Sequence, residues 1–275
     1  MYGGVAAITG QGEEKFAIPL KMDIQDGLSD TAGWDDGYAY RSLSHVVQMA
    51  GNGYEAARHL GPSYLVLDRY FLTIPALRKP DGLNQDGHLL DIITRAKSSC
   101  VAYEPAGPRP ENAKGRPRKK WASLKLSRLF REREGQFVRA GAIMYGVRET
   151  VKYLCLDLLW GQGLYRKMRF VLVKSGKGEC ILACTDLTLD PVAIIEAYAL
   201  RFKIECTFRE YRQQIGGFAY HFWSKAMPKL NRYSKTGEPG VLSIVEDEKE
   251  RRQILDTIKA TERFVLFSSI AMGIV

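Results

Sequence analysis

Ser63-Tyr-Leu-Val-Leu-Asp68 is a continuous apolar run that stops at a carboxylate. It lacks the in-and-out alternation of a half-buried strand, so it reads as a strand buried on both faces, central in a parallel sheet. Open α/β sheets place their ligand-binding and chemical groups just past the carboxyl ends of such strands. Asp68 is therefore the first candidate for chemistry, and the chain around it is expected to build an α/β sheet.

Upstream of this run, Val5 to Thr9 and Lys15 to Met22 are extended segments around Gly10-Gln11-Gly12, with Pro19 marking an edge or strand end. They read as a hairpin. Asp23 to Gly37 is loop, and Tyr40 to His59 reads as two helical pieces parted by Gly51 and Gly53. Downstream, Leu89 to Lys97 reads as a short helix and Ser99 to Tyr103 as a strand. Residues 105 to 120 carry four prolines and read as loop. Leu124 to Phe130 and Val147 to Leu159 read as extended. Met168 to Lys174 and Glu179 to Thr185 flank Ser175-Gly176-Lys177-Gly178, a clear hairpin. Asp190-Pro191 supplies an N-cap and a first-turn proline for a helix running to about Gln214, stopped by Gly216-Gly217. Asp247 onward is helical again. The chain is thus a mixed α/β protein interrupted by an extra region.

Composition narrows the function classes. The chain has 275 residues, 45% of them hydrophobic, enough for a core and too many for a disordered chain. The five cysteines are odd in number and form no CxxC pair, which disfavours a disulfide framework or a structural zinc site. The four histidines are scattered without ligand spacing. No signal peptide opens the sequence, and the last apolar stretch, Phe264 to Val275, falls short of the ~20 residues that span a bilayer. A cytoplasmic protein is expected. The formal charge of +9 points to anionic partners, nucleic acid above all.

The long helix holds the most informative cluster. Tyr198, Arg201, Glu205 and Arg212 fall within a stripe roughly 60° wide if the helix is regular. Arg201 and Glu205 stand at i,i+4 and can pair. Such a pattern serves a solvated salt-bridge ladder. It also serves a metal-binding carboxylate whose basic neighbours grip phosphates, because a hard cation takes few carboxylates plus substrate phosphate oxygens.

Tyr198-Ala-Leu-Arg201-Phe-Lys-Ile-Glu205, followed by Arg212, resembles the Y-x2-R-x3-E-x6-K signature of bacterial insertion-sequence DDE transposases, with Arg for the final Lys. Ser63 to Tyr70 is similar to the strand that bears the second catalytic Asp of that family. Thr185 to Asp190, Ala219-Tyr-His-Phe-Trp223 and Lys114-Gly-Arg-Pro-Arg-Lys119 resemble flanking segments. The resemblance implies an RNase H-like mixed sheet flanked by helices, with an inserted basic, strand-rich region. It implies DNA strand cleavage and transfer with Mg²⁺ (or Mn²⁺), Asp68 and Glu205 as catalytic metal ligands, and Tyr198, Arg201 and Arg212 on DNA near the scissile phosphate. Arg for Lys at 212 keeps the charge and replaces a point donor by a planar fork. The implied partners are transposon-end and target DNA, with a homodimer for the full-length enzyme, in the bacterial cytoplasm at the nucleoid. The family's first Asp lies on a strand ahead of the hairpin, and neither Asp23 nor Asp26 stands in its place. The expectation is a copy truncated at both ends, lacking the first strand and with little or no strand-transfer activity.

The corresponding division is 1–75 as the first part of the core, 76–166 as the basic insertion region, and 167–275 as the second part with the Glu-bearing helix. Between Arg109 and Arg133 lie ten cations against Glu111 and Glu132, a net +8 of the chain's +9. Gly115-Arg116-Pro117 resembles the short arms that enter narrow minor grooves. Arg116, Arg118, Lys119 and Lys120 are the candidate DNA contacts. A non-catalytic DNA-binding remnant or regulator using this insertion is the alternative function, and a basic structural protein in which Glu205 is only a salt-bridge partner is a third.

Overall fold

The computed structural model describes residues 2–12, 14–25, 31, 33–35, 43–108, 115–219, 224–229 and 240–274. In chain order the strands are β1 (Tyr2–Gln11), β2 (Glu14–Ile24), β3 (Ser63–Leu67), β4 (Leu90–Ala96), β5 (Val101–Pro105), β6 (Lys120–Lys125), β7 (Val138–Met144), β8 (Val147–Trp160), β9 (Arg166–Ser175) and β10 (Gly178–Cys184). The helices are α1 (His45–Leu60), α2 (Ile74–Leu83), α3 (Leu129–Glu132), α4 (Pro191–Leu200), α5 (Phe202–Glu210) and α6 (Glu248–Ile274). The protein is mixed α/β, with a mixed sheet flanked by helices. It divides into two compact units, residues 1–56 with 203–275 and residues 57–202.

In the first unit β1 and β2 form the expected antiparallel hairpin. Its register steps over Leu20, pairing Val5 with Lys21 and Ala6 with Pro19. A bulge there suits a proline that has no N–H for the ladder. The Thr207 hydroxyl on α5 donates to the Ala17 carbonyl at 2.7 Å. α5 passes into a π-turn, Tyr211–Ile215, ended by Gly216 at φ 66°. Gly217 follows because a Cβ there would lie 2.0 Å from the Tyr211 ring. Buried Tyr211 donates to the Val265 carbonyl of α6 at 2.6 Å and packs with Met22, Val265 and Phe218. A second cluster gathers Val245, Ile254 and Ile258 around Trp34 and Met227.

The second unit is the large sheet, in the order β3-β4-β10-β9-β8-β5-β6 with β7 paired to β8. Among the described strands of this sheet only β3 and β4 are parallel to each other, and every other pair is antiparallel. α4 packs Ile194, Ile195 and Ala199 onto Ile93, Val171, Val173 and Leu182.

Several expectations change here. β3 is an edge strand of this sheet among the described residues, bonded only to β4, with Tyr64 44% exposed. The buried centre belongs instead to β4, β9 and β10. Leu89 to Lys97 is not a helix: β4 carries Ile92-Ile-Thr94, and β-branched residues favour the pleated surface. Short apolar runs fit both periods, so spacing does not separate them. Leu124 to Phe130 leaves the strand at Lys125 and turns into α3, because Leu126, Leu129 and Phe130 must all be buried. α1 is one helix through Gly51 and Gly53, since burial of Met49, Ala50, Tyr54 and Ala57 offsets the roughly 1 kcal/mol each glycine costs. The single long helix is three successive pieces, α4, α5 and the π-turn, with Arg201 at the first junction. A stripe drawn for a regular helix therefore does not carry through to Arg212.

Candidate functional site

β3 ends where its sequence requires. Asp68 follows Leu67 as an exposed residue, and its Oδ1 accepts the Arg69 N–H at 2.7 Å to cap the turn Arg69–Phe71. The Asp68 carbonyl accepts from the Thr94 hydroxyl at 2.9 Å. β3 is thus fastened to β4 at the carboxyl end of both.

α4 brings two signature residues to this end. Asp190 starts the helix, its Oδ1 accepting the N–H groups of Val192 at 2.8 Å and Ala193 at 3.2 Å. Tyr198, half-buried in the last turn, is hydrogen-bonded to Arg201. Its phenol is raised above the ordinary value first by burial. The Asp68 charge adds to the rise, while Arg201 and Arg95 oppose it. Asp68, Tyr198, Arg201 and Arg95 therefore share one electrostatic neighbourhood, although 130 residues separate Asp68 from Tyr198 in the sequence. Arg95 is the member that sequence reasoning missed. Leu67 pairs with Thr94 in the parallel register, so the next residues along the two strands are Asp68 and Arg95. The signal was hidden because β4 reads as a helix.

Glu205 on α5 and Arg212 in the π-turn are exposed residues of the other unit. Among the described residues no three His, Cys, Asp or Glu side chains are placed to hold a metal ion together. Asp68 is an exposed carboxylate with one oxygen engaged by an amide. Mg²⁺ needs only one or two carboxylates when waters and substrate phosphates complete its shell.

The cationic segment lies at the opposite edge of the large sheet. Arg116, Arg118 and Lys119 are exposed in the approach to β6. The Arg118 guanidinium lies 5.1 Å from the centroid of the Trp121 ring, which is 57% exposed. Lys120 is half-buried, its Nζ 3.6 Å from the Tyr103 centroid and 5.2 Å from that of Tyr165. Arg133 pairs with Glu104 at 3.4 Å. Leu126, Leu129 and Phe130, further along the same segment, are buried. Arg109 and Lys114, and the segment 220–223, lie outside the described residues.

A second polar group was not legible. Buried Asp91 accepts from the Thr185 hydroxyl at 2.5 Å and pairs with His88 Nε2 at 2.6 Å. Tyr64 donates to Asp186 Oδ2 at 2.7 Å. Burial works to raise the Asp186 carboxyl, but hydrogen bonds from Thr188, Tyr64 and nearby amides outweigh it and hold the group below its ordinary value. All five cysteines are free thiols, with Cys184 pushed up to about 12 by burial. Threonine sits at one end of the Thr185–Asp91–His88 chain and histidine at the other, so the histidine does not activate a hydroxyl. The group fastens β4 to the end of β10.

No protein-family model, no curated protein and no solved structure matches this chain. No described helix is long and apolar enough to cross a membrane.

Proposed function

We propose that this chain is the catalytic-domain part of a bacterial insertion-sequence DDE transposase, built on an RNase H-like sheet and acting on DNA. The observation that carries the reading is the company of Asp68. A carboxylate at the end of an apolar strand is met by the Tyr and Arg of the signature, which arrive from a helix far along the chain. The parallel β3–β4 pair and the strand-rich, basic region inserted before α4 support it.

In this reading Asp68 would be a ligand of Mg²⁺ (or Mn²⁺), a role that the signature resemblance also gives to Glu205. A bound metal would activate the attacking oxygen and stabilise the leaving one. Arg201 and Arg95 offer fixed positive charge to phosphate oxygens beside Asp68, and the Tyr198 phenol stays protonated as a hydrogen-bonding group because its ionisation is disfavoured. Arg212 offers a further cation to the DNA backbone. The exposed Arg116, Arg118 and Lys119 bind duplex phosphates away from the cut.

The test is binding and metal-dependent nicking of DNA carrying the element's terminal repeats. End DNA is expected to bind with steep salt dependence, and any nicking is expected to be slow and lost in Asp68→Asn and Glu205→Gln. Failure to bind end DNA would contradict the reading. The exposed Arg118–Trp121 pair favours a second reading, a DNA-binding regulator without chemistry. That reading predicts undiminished binding in both carboxylate variants and no metal-dependent nicking by the chain.

A further inference from the structure

Four cations, Arg116, Arg118, Lys119 and Lys120, lie within five positions of the sequence, but the fold treats the last of them differently. Arg116, Arg118 and Lys119 are exposed, whereas Lys120 is half-buried with its ammonium over the Tyr103 ring and within reach of the Tyr165 ring. The two rings meet edge to face, with centroids 5.6 Å apart and planes at 78°. Two sides of the ammonium are thus lined with aromatic faces, the geometry in which a ring quadrupole attracts a cation.

This seat is built at a conformational cost. Tyr165 has φ 47°, and only one other described non-glycine residue, Tyr145, has positive φ. A bulky aromatic residue in the left-handed region is rare and persists only where its surroundings hold it. Here the turn is closed by the Tyr165 N–H donating to the Gly161 carbonyl at 2.8 Å, and Gly161 and Gly163 also take positive φ. Asparagine or glycine would suit position 165 better on backbone grounds alone, so the ring has to account for tyrosine there. Tyr145 repeats the arrangement with Lys177 at 4.0 Å from its centroid.

We propose that Lys120 does not contact DNA, and that Tyr103 and Tyr165 are positioning residues that hold it as the fixed root of the cationic segment. Arg118, Lys119 and Trp121 are then presented from a set backbone rather than from a swinging loop. This rests on the DNA-binding reading above and changes what one residue of that interface does.

The test uses the whole chain and a duplex oligonucleotide, with affinity measured by anisotropy across a series of salt concentrations. Each phosphate contact that is lost flattens the log–log salt slope by about 0.9. Arg118→Gln or Lys119→Gln is expected to show that change. Lys120→Met is expected to weaken binding by about threefold with the slope unchanged, and Lys120→Arg, which keeps a cation on the rings, to restore affinity. Tyr165→Asn removes the ring while tolerating the left-handed backbone, so it folds. It is expected to match Lys120→Met, and the double variant to be no weaker than either single one. Tyr165→Phe should behave as the unaltered chain. A slope flattened by about 0.9 in Lys120→Met, or additive losses in the double variant, would overturn the proposal while leaving DNA binding intact. No duplex binding by the unaltered chain would overturn the DNA reading itself, and this role of Lys120 with it.

Discussion

β6 and β3, the strands at the two ends of the main path of the large sheet among the described residues, are built to opposite rules. β6, at one edge, begins and ends with lysine and carries exposed Trp121 between them. Charged edge residues of this kind deter further strand pairing, and the exposed Arg116, Arg118 and Lys119 leading into β6 give an anion a surface to meet. β3, at the other edge among the described residues, reads Ser-Tyr-Leu-Val-Leu, with no charge, proline or bulge. The difference teaches that one edge is a finished surface, while the other has the composition of an interior strand and ends at the carboxylate proposed for chemistry.

The largest expected effect removes the support of the finished edge. Phe130, within the cationic segment, is 3% exposed, and Phe130→Ala should cost about 3–5 kcal/mol in thermal unfolding of the unit that contains it. Replacing Arg116, Arg118 and Lys119 together by Ala should leave the fold intact and flatten the DNA salt slope by about 2.7, with affinity falling on the order of a hundredfold at low salt. At the β3 edge, Val66→Lys should lower concentration-dependent association in light scattering, at a stability cost of about 1–3 kcal/mol because Val66 packs half-buried against the core. Asp190→Ala removes the cap of the helix that carries Tyr198 and should cost about 1 kcal/mol, read as a melting shift of roughly 2–4 °C.

The smallest effect is a pH dependence on the β3 side. The Asp186 carboxyl has a folded value below its ordinary one, so it binds protons more weakly in the folded state than in the unfolded state. Its stabilisation is complete above about pH 4 and disappears as pH falls through the folded value. Tyr64→Phe removes one of the hydrogen bonds responsible, so the acid loss of stability between the two values should shrink in that variant.

What could be read from the sequence was local. The Ser175–Gly178 turn, the Asp190 cap with Pro191 and the Gly216-Gly217 stop depend on one or a few residues whose backbone demands are distinctive, and each stands where it was expected. What could not be read depended on partners. β3 and β4 are both apolar runs, and only the sheet decides which of them is central. Arg95 became a neighbour of Asp68 only through the parallel register. Lys120 looks like its three cationic neighbours until Tyr165, forty-five positions away, places a ring beside it.

Two exposed aromatic residues, one at each edge, allow the central claim to be tested directly. Tyr70 stands two residues past Asp68 and is 54% exposed, and Trp121 on β6 is 57% exposed. Each can be replaced in turn by the photo-crosslinking residue benzoylphenylalanine in the whole chain, with labelled terminal-repeat DNA as the target. The account predicts crosslinks from both positions, those from 70 falling at the cleaved terminus and those from 121 in the duplex further in. Crosslinks from 121 with none from 70 would contradict it, leaving a protein that binds DNA by its cationic edge and does nothing to it at Asp68.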